Sequence, residues 1–256
     1  MNQHNAFARH FASLHRKGEP LVLYNAWDTG SARAIAAAGA RAIGTSSWAV
    51  AAAHGYEDGE SIPLALVEQV LGRIARSVPL PVTADIEGGY SADPQACAGY
   101  VSRLLDHGVV GINLEDRIVN GAGLYGIDAQ CERIAAIRGM AAGRGIALFI
   151  NARTDLFFDG KTSPQDVLDQ AKQRAAAYAK AGASGFFVPG LVDLPVIAEL
   201  AATIALPLNV MVMPGMADSR TLAKAGVARI SHGPAPYLQA MEATRAAAQL
   251  VLGQPE

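Results

Sequence analysis

Cysteine is nearly absent from this chain. Cys97 and Cys131 are the only two among 256 residues. Two cysteines build no disulfide framework, and their separation matches no metal knuckle. Aromatic residues make up 6% and charged residues 17%. Lys and Arg number 21 against 23 Asp and Glu, a formal net charge of −2. Such a balance gives no electrostatic reason to expect nucleic acid or a membrane as partner. Long apolar runs are missing too. The alanine-rich stretch from Ala32 to Ala53 is broken by Arg33 and Arg41, so nothing approaches the roughly 18 residues of a membrane span. The first twenty residues, MNQHNAFARHFASLHRKGEP, lack a signal peptide's apolar core. A soluble, cytoplasmic protein is the expectation. What the chain has in quantity is hydrophobic residues, 51% of the total, which excludes intrinsic disorder.

Short β-rich runs alternate with alanine-rich amphipathic stretches. The strands read as Leu21–Ala26, Arg41–Ser47, Pro81–Glu87, Val110–Asp116, Ala147–Arg153, Gly185–Gly190, Leu208–Met213 and Ala228–Gly233. Several are continuously apolar, as parallel strands covered on both faces must be. Asp93-Pro94 and Ser163-Pro164 open helices with proline in the first turn. Gly39, Gly108, Gly182 and Gly226 each follow a helical stretch and precede a strand, which predicts left-handed helix ends. Eight β-then-α units in this length predict a single-domain α/β fold, a (β/α)8 TIM-type barrel spanning 1–256. A helix at about 5–17 would precede it and one at about 235–252 would end it. A doubly wound open sheet is the rival, but no G-x-G-x-x-G follows the first strand.

In such a barrel the chemistry sits where strands end, and the polar residues fall there. The third strand ends in Asp85-Ile86-Glu87, the fourth in Glu115-Asp116-Arg117 and the fifth in Asn151-Ala152-Arg153-Thr154-Asp155. Residues two apart on a strand share a face, so Asp85 and Glu87 are expected side by side, with Glu115 next to them. Three anions in one apolar mouth repel. A hard cation, Mg²⁺ or Mn²⁺, would relieve this through one or two direct carboxylates, with the others bound through water. Spacing alone leaves open whether these acids hold a metal or are merely solvated or paired with arginine. Arg153 is either a structural ion-pair partner or a clamp for a substrate carboxylate, with Asp155 placed to orient it. Ser46 and Ser47, followed by Trp48, read either as a capped turn or as a cradle for an anionic group.

The segments TSSWAVAAAHGYED, TADIEGGY, INLEDR and NARTD, in this order and at these strand ends, resemble the isocitrate lyase / phosphoenolpyruvate mutase superfamily, over about Leu21 to Pro234. The resemblance implies a Mg²⁺-dependent lyase or mutase. It would break or form a C–C or P–C bond beside the carbonyl of a small 2-oxo acid or phosphonate, through an enolate-like intermediate. It implies Asp85 as the direct metal ligand, with Glu87, Glu115 and Asp58 reaching the ion through water. It implies Ser46, Ser47, Trp48 and Arg153 as substrate contacts, with Arg153, Asp58 and Ser46 acting in catalysis. Homo-oligomers, dimers or tetramers, are expected on the same ground.

The chain also departs from the family. Glu87 stands where an Asp is common. After Glu115-Asp116 the chain reads RIVNGAGLYG, where lyases of the family carry K-[KR]-C-G-H with a cysteine acid/base. Cys131 lies downstream in a helical stretch and reads as a small buried side chain. Isocitrate or methylisocitrate lyase activity is therefore disfavoured. Oxaloacetate-type decarboxylation or phosphonopyruvate-type chemistry remains, with a non-catalytic 2-oxo acid-binding barrel, or a methylisocitrate lyase-like carbon–carbon lyase despite the missing cysteine loop, as alternatives. A phosphate-binding barrel gripping at Val212-Met213-Pro214-Gly215 is disfavoured, since Pro214 has no amide donor. Asn120, before a glycine, reads as a turn. His232 reads as packing and His54 as solvated in a lid loop. Asn209 and Tyr24 are candidate pocket residues.

Overall fold

A computed structural model describes residues 3–158 and 163–253. Eight parallel strands form the centre: β1 (Leu21–Leu23), β2 (Ile43–Gly44), β3 (Val82–Asp85), β4 (Val109–Glu115), β5 (Phe149–Arg153), β6 (Gly185–Phe187), β7 (Leu208–Met211) and β8 (Arg229–Ser231). They pair in the order β1-β8-β7-β6-β5-β4-β3-β2. A parallel bridge between Ala26 and Thr45 brings the two ends of that order together, giving a nearly closed barrel. Every strand sits inside the expected run or within one residue of it. The helices are α1 (Gln3–Ser13), α2 (Thr29–Ala37), α3 (Ser47–Ala53), α4 (Leu64–Ser77), α5 (Pro94–Asp106), α6 (Ile127–Gly143), α7 (Pro164–Ala181), α8 (Leu194–Thr203), α9 (Ser219–Lys224) and α10 (Ala235–Leu252). No helix among the described residues is long and apolar enough to cross a membrane.

Local chemistry places these elements. Asp28, Asp93, Asp193 and Asp218 each accept a hydrogen bond from a backbone N–H in the first turn of the helix that follows, filling one of the donors a helix start leaves open. The four helix-ending glycines take φ of +93° (Gly39), +90° (Gly108), +105° (Gly182) and +89° (Gly226). At Gly182 a side chain would also run into Arg138. Helix α3 differs from the expected loop. Ser46 caps it by accepting from Ala49 N, and the alanines behind it favour the helix. Helix α1 ends at Ser13, short of the expected 17.

α1 closes the end of the barrel at which the strands begin. Phe11 is fully buried and meets Phe149 edge-on at 5.4 Å. His15 stacks on the same ring at 3.9 Å. Gly111 in β4 makes room for this plug: a methyl group there would lie 2.7 Å from Phe11 Cε1. Above the plug the interior is polar. Asn151 Nδ2 donates to both Asn113 and Asn209, each at 2.9 Å. The guanidinium of Arg229 donates to Asn113 Oδ1 at 3.0 Å. Burial pushes Arg229 down to about 9.

Candidate active site

A cavity of about 290 Å³ lies at the strand C-terminal ends, where barrels of this kind carry their chemistry. It is lined by Ser46, Ser47, Trp48, Asp58, Asp85, Glu87, Glu115 and Arg153. These come from β2–β5 and the loops after them, so the acids and the arginine singled out from spacing share one cavity.

Asp85, the last residue of β3, is gripped from one side. Ser47 donates to its Oδ2 twice, from the backbone N at 3.2 Å and from the hydroxyl at 2.8 Å. Asp85 Oδ1 is buried with no hydrogen-bond partner. Glu87 reaches the cavity by another route than strand alternation. β3 stops at Asp85, and Glu87 takes φ of +51°, an unusual conformation for a residue with a side chain. Its Oε2 accepts from Gly59 N and Glu60 N, both at 2.8 Å. The carboxylate thereby pins the turn that carries Asp58. The methylene that Glu has beyond Asp is what spans to that turn.

Glu115 and Arg153 lie side by side on paired strands, with Arg153 Nη1 2.9 Å from Glu115 Oε2. Asp155 takes the guanidinium from behind, through Nε at 2.6 Å and Nη2 at 2.8 Å. Two of the five N–H donors of arginine are thus hydrogen-bonded to Asp155, while Nη1 forms the ion pair with Glu115. Phe158 and Phe187 lie near the guanidinium, with centroids 5.3 Å and 6.0 Å away. Behind this pair Asp116 is fully buried. It accepts from Asp155 N at 3.1 Å, Arg174 Nη1 at 3.0 Å and the Tyr178 hydroxyl at 2.9 Å.

The electrostatics follow from crowding. Burial, then the charges of Asp58 and Asp85, push Glu87 up to about 8. Burial raises Glu115 to about 8 even with Arg153 beside it. Asp58 is raised by lost hydration and by Asp85. Burial opposes the charge of Arg153, but Glu115 and Asp155 outweigh it and hold the group above its ordinary value. The acid cluster is therefore short of positive charge.

The chemistry of the donor set limits how a cation would be held. Among the described residues no three His, Cys, Asp or Glu side chains converge closely enough to hold a metal directly. A ring of three direct carboxylates does not fit. A hydrated hard ion with one direct protein oxygen does fit, because Asp85 Oδ1 is buried, unpartnered and fixed in direction by Ser47.

Several candidates stand elsewhere. Tyr24 does not line the cavity: it is 41% exposed, and its hydroxyl donates to Gln239 on α10 at 2.6 Å. β1 alternates inward at Leu21 and Leu23 and outward at Val22, which turns Tyr24 out and Asn25 in. Asn25 lines the cavity. Asn209 also stays out of it. It faces the barrel interior one layer deeper, donating to Val210 O, Arg229 O and Ser231 Oγ. Met211, two residues on, takes the cavity position. His232 packs against Tyr24, centroids 5.2 Å apart, and touches the cavity. His54 ends α3 with Nδ1 2.9 Å from Val50 O. Asn120 sits in a turn closed by Gly121 N to Ile118 O. Cys131 is half-buried on α6, away from the cavity. The lining residues Asn25, Asn113, Phe158, Phe187 and Met211 were not singled out from the sequence. Strand alternation was the available signal for Asn25 and Met211.

The model of the phosphoenolpyruvate phosphomutase family matches residues 11–252. A solved structure from Burkholderia cenocepacia, provisionally assigned as a phosphonomutase, superposes with a TM-score of 0.93. It is 48% identical and covers 96% of this chain and 100% of that one. An uncharacterised protein of Mycobacterium tuberculosis is 37% identical over 243 residues, 94% of this chain and 88% of its own length. An oxaloacetate decarboxylase of Pseudomonas entomophila is 30% identical over 184 residues, 70% of this chain and 61% of its own length.

Proposed function

We propose that this chain, which belongs to the phosphoenolpyruvate phosphomutase family, is a Mg²⁺-dependent enzyme that breaks a C–C bond beside the carbonyl of a 2-oxo acid, as in oxaloacetate-type decarboxylation. Mn²⁺ would serve in place of Mg²⁺. The observation that carries the reading is Asp85: one oxygen locked by Ser47, the other buried without a partner, in a cavity it shares with Asp58, Glu87 and Glu115.

Mg²⁺ bound at Asp85 Oδ1 would offset the acids and draw electrons toward the substrate carbonyl oxygen. Glu87 and Glu115 would reach it through water. Glu87 also holds Asp58 in place by its grip on Gly59 and Glu60. Arg153 keeps N–H groups beyond those held by Asp155 for the substrate, and Asp155 fixes its orientation. Its charge favours electron density moving onto the carbonyl as the C3–C4 bond breaks. In decarboxylation CO₂ leaves, the electron pair passes to the enolate, and C3 takes up a proton. Ser46, occupied as the cap of α3, acts by placing the backbone at Ser47 and Trp48. C–C chemistry is favoured over P–C chemistry by the shortage of cations. Arg153 and Arg117 are the lysine or arginine side chains lining the cavity among the described residues, and a phosphonyl dianion calls for more.

Pyruvate release from oxaloacetate and from phosphonopyruvate, with Mg²⁺ and with chelator, tests the reading. Metal-dependent release from oxaloacetate, lost in Asp85→Ala, is expected. Turnover indifferent to chelator, or an Asp85→Ala protein as active as wild type, would refute it. A homo-oligomer, dimer or tetramer, is part of the same proposal.

A further inference from the structure

The acids gather on the β2–β5 side of the cavity. The facing wall, from β6 to β8, is made differently. Phe187 at the end of β6 is 4% exposed, and Met211 and Met213 follow from β7 and its loop. Trp48 and Phe158 flank this wall.

The amide of Asn25 and the hydroxyl of Ser231 on that side are already engaged, and the His232 imidazole beside them packs on Tyr24. Asn25 Oδ1 accepts from the backbone N–H groups of His232 and Gly233 at 2.9 and 3.0 Å. Asn25 Nδ2 donates to Thr45 O at 2.8 Å. Ser231 Oγ lies 3.3 Å from Val210 O and 3.2 Å from Asn209 Nδ2. Arg153 and Arg117 both belong to the acid side, on β5 and just after β4. A carboxylate lodged against Phe187, Met211 and Met213 would lose its water and find no charged donor there, with the His232 imidazole as the one side-chain N–H on that wall among the described residues, which is unfavourable. An alkyl or aryl group there exchanges water for thioether and ring contacts, and methionine adapts to irregular shapes.

We infer that the substrate is a 2-oxo acid whose C3 carries an alkyl or aryl arm, and that Phe187, Met211 and Met213 receive that arm. The inference rests on the 2-oxo acid reading above and sharpens it. The carboxylate and carbonyl face Ser47, Asp85 and Arg153, and the arm crosses to the apolar wall. Plain oxaloacetate would then be turned over less efficiently than its C3-alkylated relatives.

Inert analogues separate this inference from the reading beneath it. Oxamate carries the carboxylate and carbonyl of a 2-oxo acid, with an amide nitrogen in the place of C3. Calorimetric titration of the full chain in Mg²⁺ with oxalate, oxamate and the N-methyl, N-ethyl and N-propyl oxamates measures the contribution of the arm. Affinity should rise about four-fold per added methylene, the equivalent of about 0.8 kcal/mol at 1.4 kcal/mol per tenfold. N-carboxymethyl oxamate, which ends in a carboxylate, should bind more weakly than N-ethyl oxamate. Met211→Ser and Phe187→Ala should each flatten the series, read as the ratio of N-propyl oxamate to oxamate on the same protein. That ratio is internal to each variant, and the wild-type series decides the matter if a variant fails to fold. Oxalate that binds while the series is flat or falling, or while the carboxymethyl compound binds tightest, overturns the apolar arm and leaves the 2-oxo acid site standing. No binding of oxalate in Mg²⁺ overturns both.

Discussion

Ser47 places two hydrogen bonds on one oxygen of Asp85, from its backbone N and from its hydroxyl, while the other oxygen of that carboxylate is buried without a partner. The serine aims the acid. A group that orients a metal ligand typically accounts for 10- to 100-fold in metal affinity or activity. Ser47→Ala should therefore weaken Mg²⁺ binding by about that factor, because the backbone bond alone leaves the carboxylate free to swing. Calorimetric titration with MgCl₂ reads this directly. Unchanged affinity in Ser47→Ala would mean that Asp85 needs no orientation, and the proposed ion would lose its main structural support.

Asp116 carries a different weight. It is fully buried and satisfies Arg174, Tyr178 and the backbone of Asp155 together. Removing one member of such a pair strands the other charge inside the protein, at a cost of about 3–5 kcal/mol. Asp116→Ala should lose about that much in urea denaturation. Tyr178→Phe removes one hydrogen bond to a charged acceptor and should lose about 1.5–3 kcal/mol. Activity should fall in Asp116→Ala as well, since Asp155 relies on Asp116 to stay behind Arg153. A loss under 1 kcal/mol in Asp116→Ala would show that water reaches Arg174.

His15 makes stability depend on pH. Burial, with a contribution from Arg229, pushes its imidazole down to about 3, against about 6.5 in the unfolded chain. Between these values the unfolded state binds the extra proton and the folded state does not. Stability therefore falls as pH drops from 6.5 toward 3, by about 1.4 kcal/mol per unit for this one group. The plug that α1 makes against Phe149 should loosen first. In His15→Phe that slope should vanish, so the stability difference between wild type and variant should shift by about 2–3 kcal/mol from pH 6.5 to 4.5. Identical pH slopes in the two proteins would count against a neutral, buried His15.

Residue patterns reveal unequal parts of this molecule. Gly39, Gly108, Gly182 and Gly226 mark helix ends because only a left-handed residue turns the chain there, and each has positive φ. Asp85, Glu115 and Arg153 stand at strand ends in the sequence and line one cavity in the fold, since barrel topology brings all strand ends to one mouth. Depth has no such signature. Asn209 and Met211 share a face of β7, and periodicity does not say that the first lies below the cavity and the second in it. Tyr24 shows a chemical preference overriding geometry: an aromatic looked like a pocket residue, while the alternation of Leu21, Val22 and Leu23 pointed to Asn25. Glu87 lies beyond the last strand residue, so strand period no longer governs it, and its hold on Gly59 and Glu60 is a loop contact that local sequence does not encode. Helix α3 was hidden because two serines before a run of small residues suit a capped turn as well as a helix start.

α10 supplies the last prediction. Of its 18 residues Pro236 alone is buried. Near its end Leu250, Val251 and Leu252 are 85%, 86% and 73% exposed, and Leu238 and Met241 nearer its start are also open to water. A helix in a protein draws most of its stability from packing an apolar face, and clustered apolar residues left in water mark an association surface. A second copy of the chain is the partner we propose for α10. Light scattering after size exclusion should then give a mass that is a multiple of 26.6 kDa, two- or four-fold. Ending the chain after Ala240 removes the exposed apolar positions from Met241 onward, and that shortened protein should run as a monomer. Because Leu238, on the retained first turn, lines the cavity, the truncation should leave the cavity wall in place. A single-chain mass for the full protein at micromolar concentration would leave α10 uncovered and would remove the argument for an assembly.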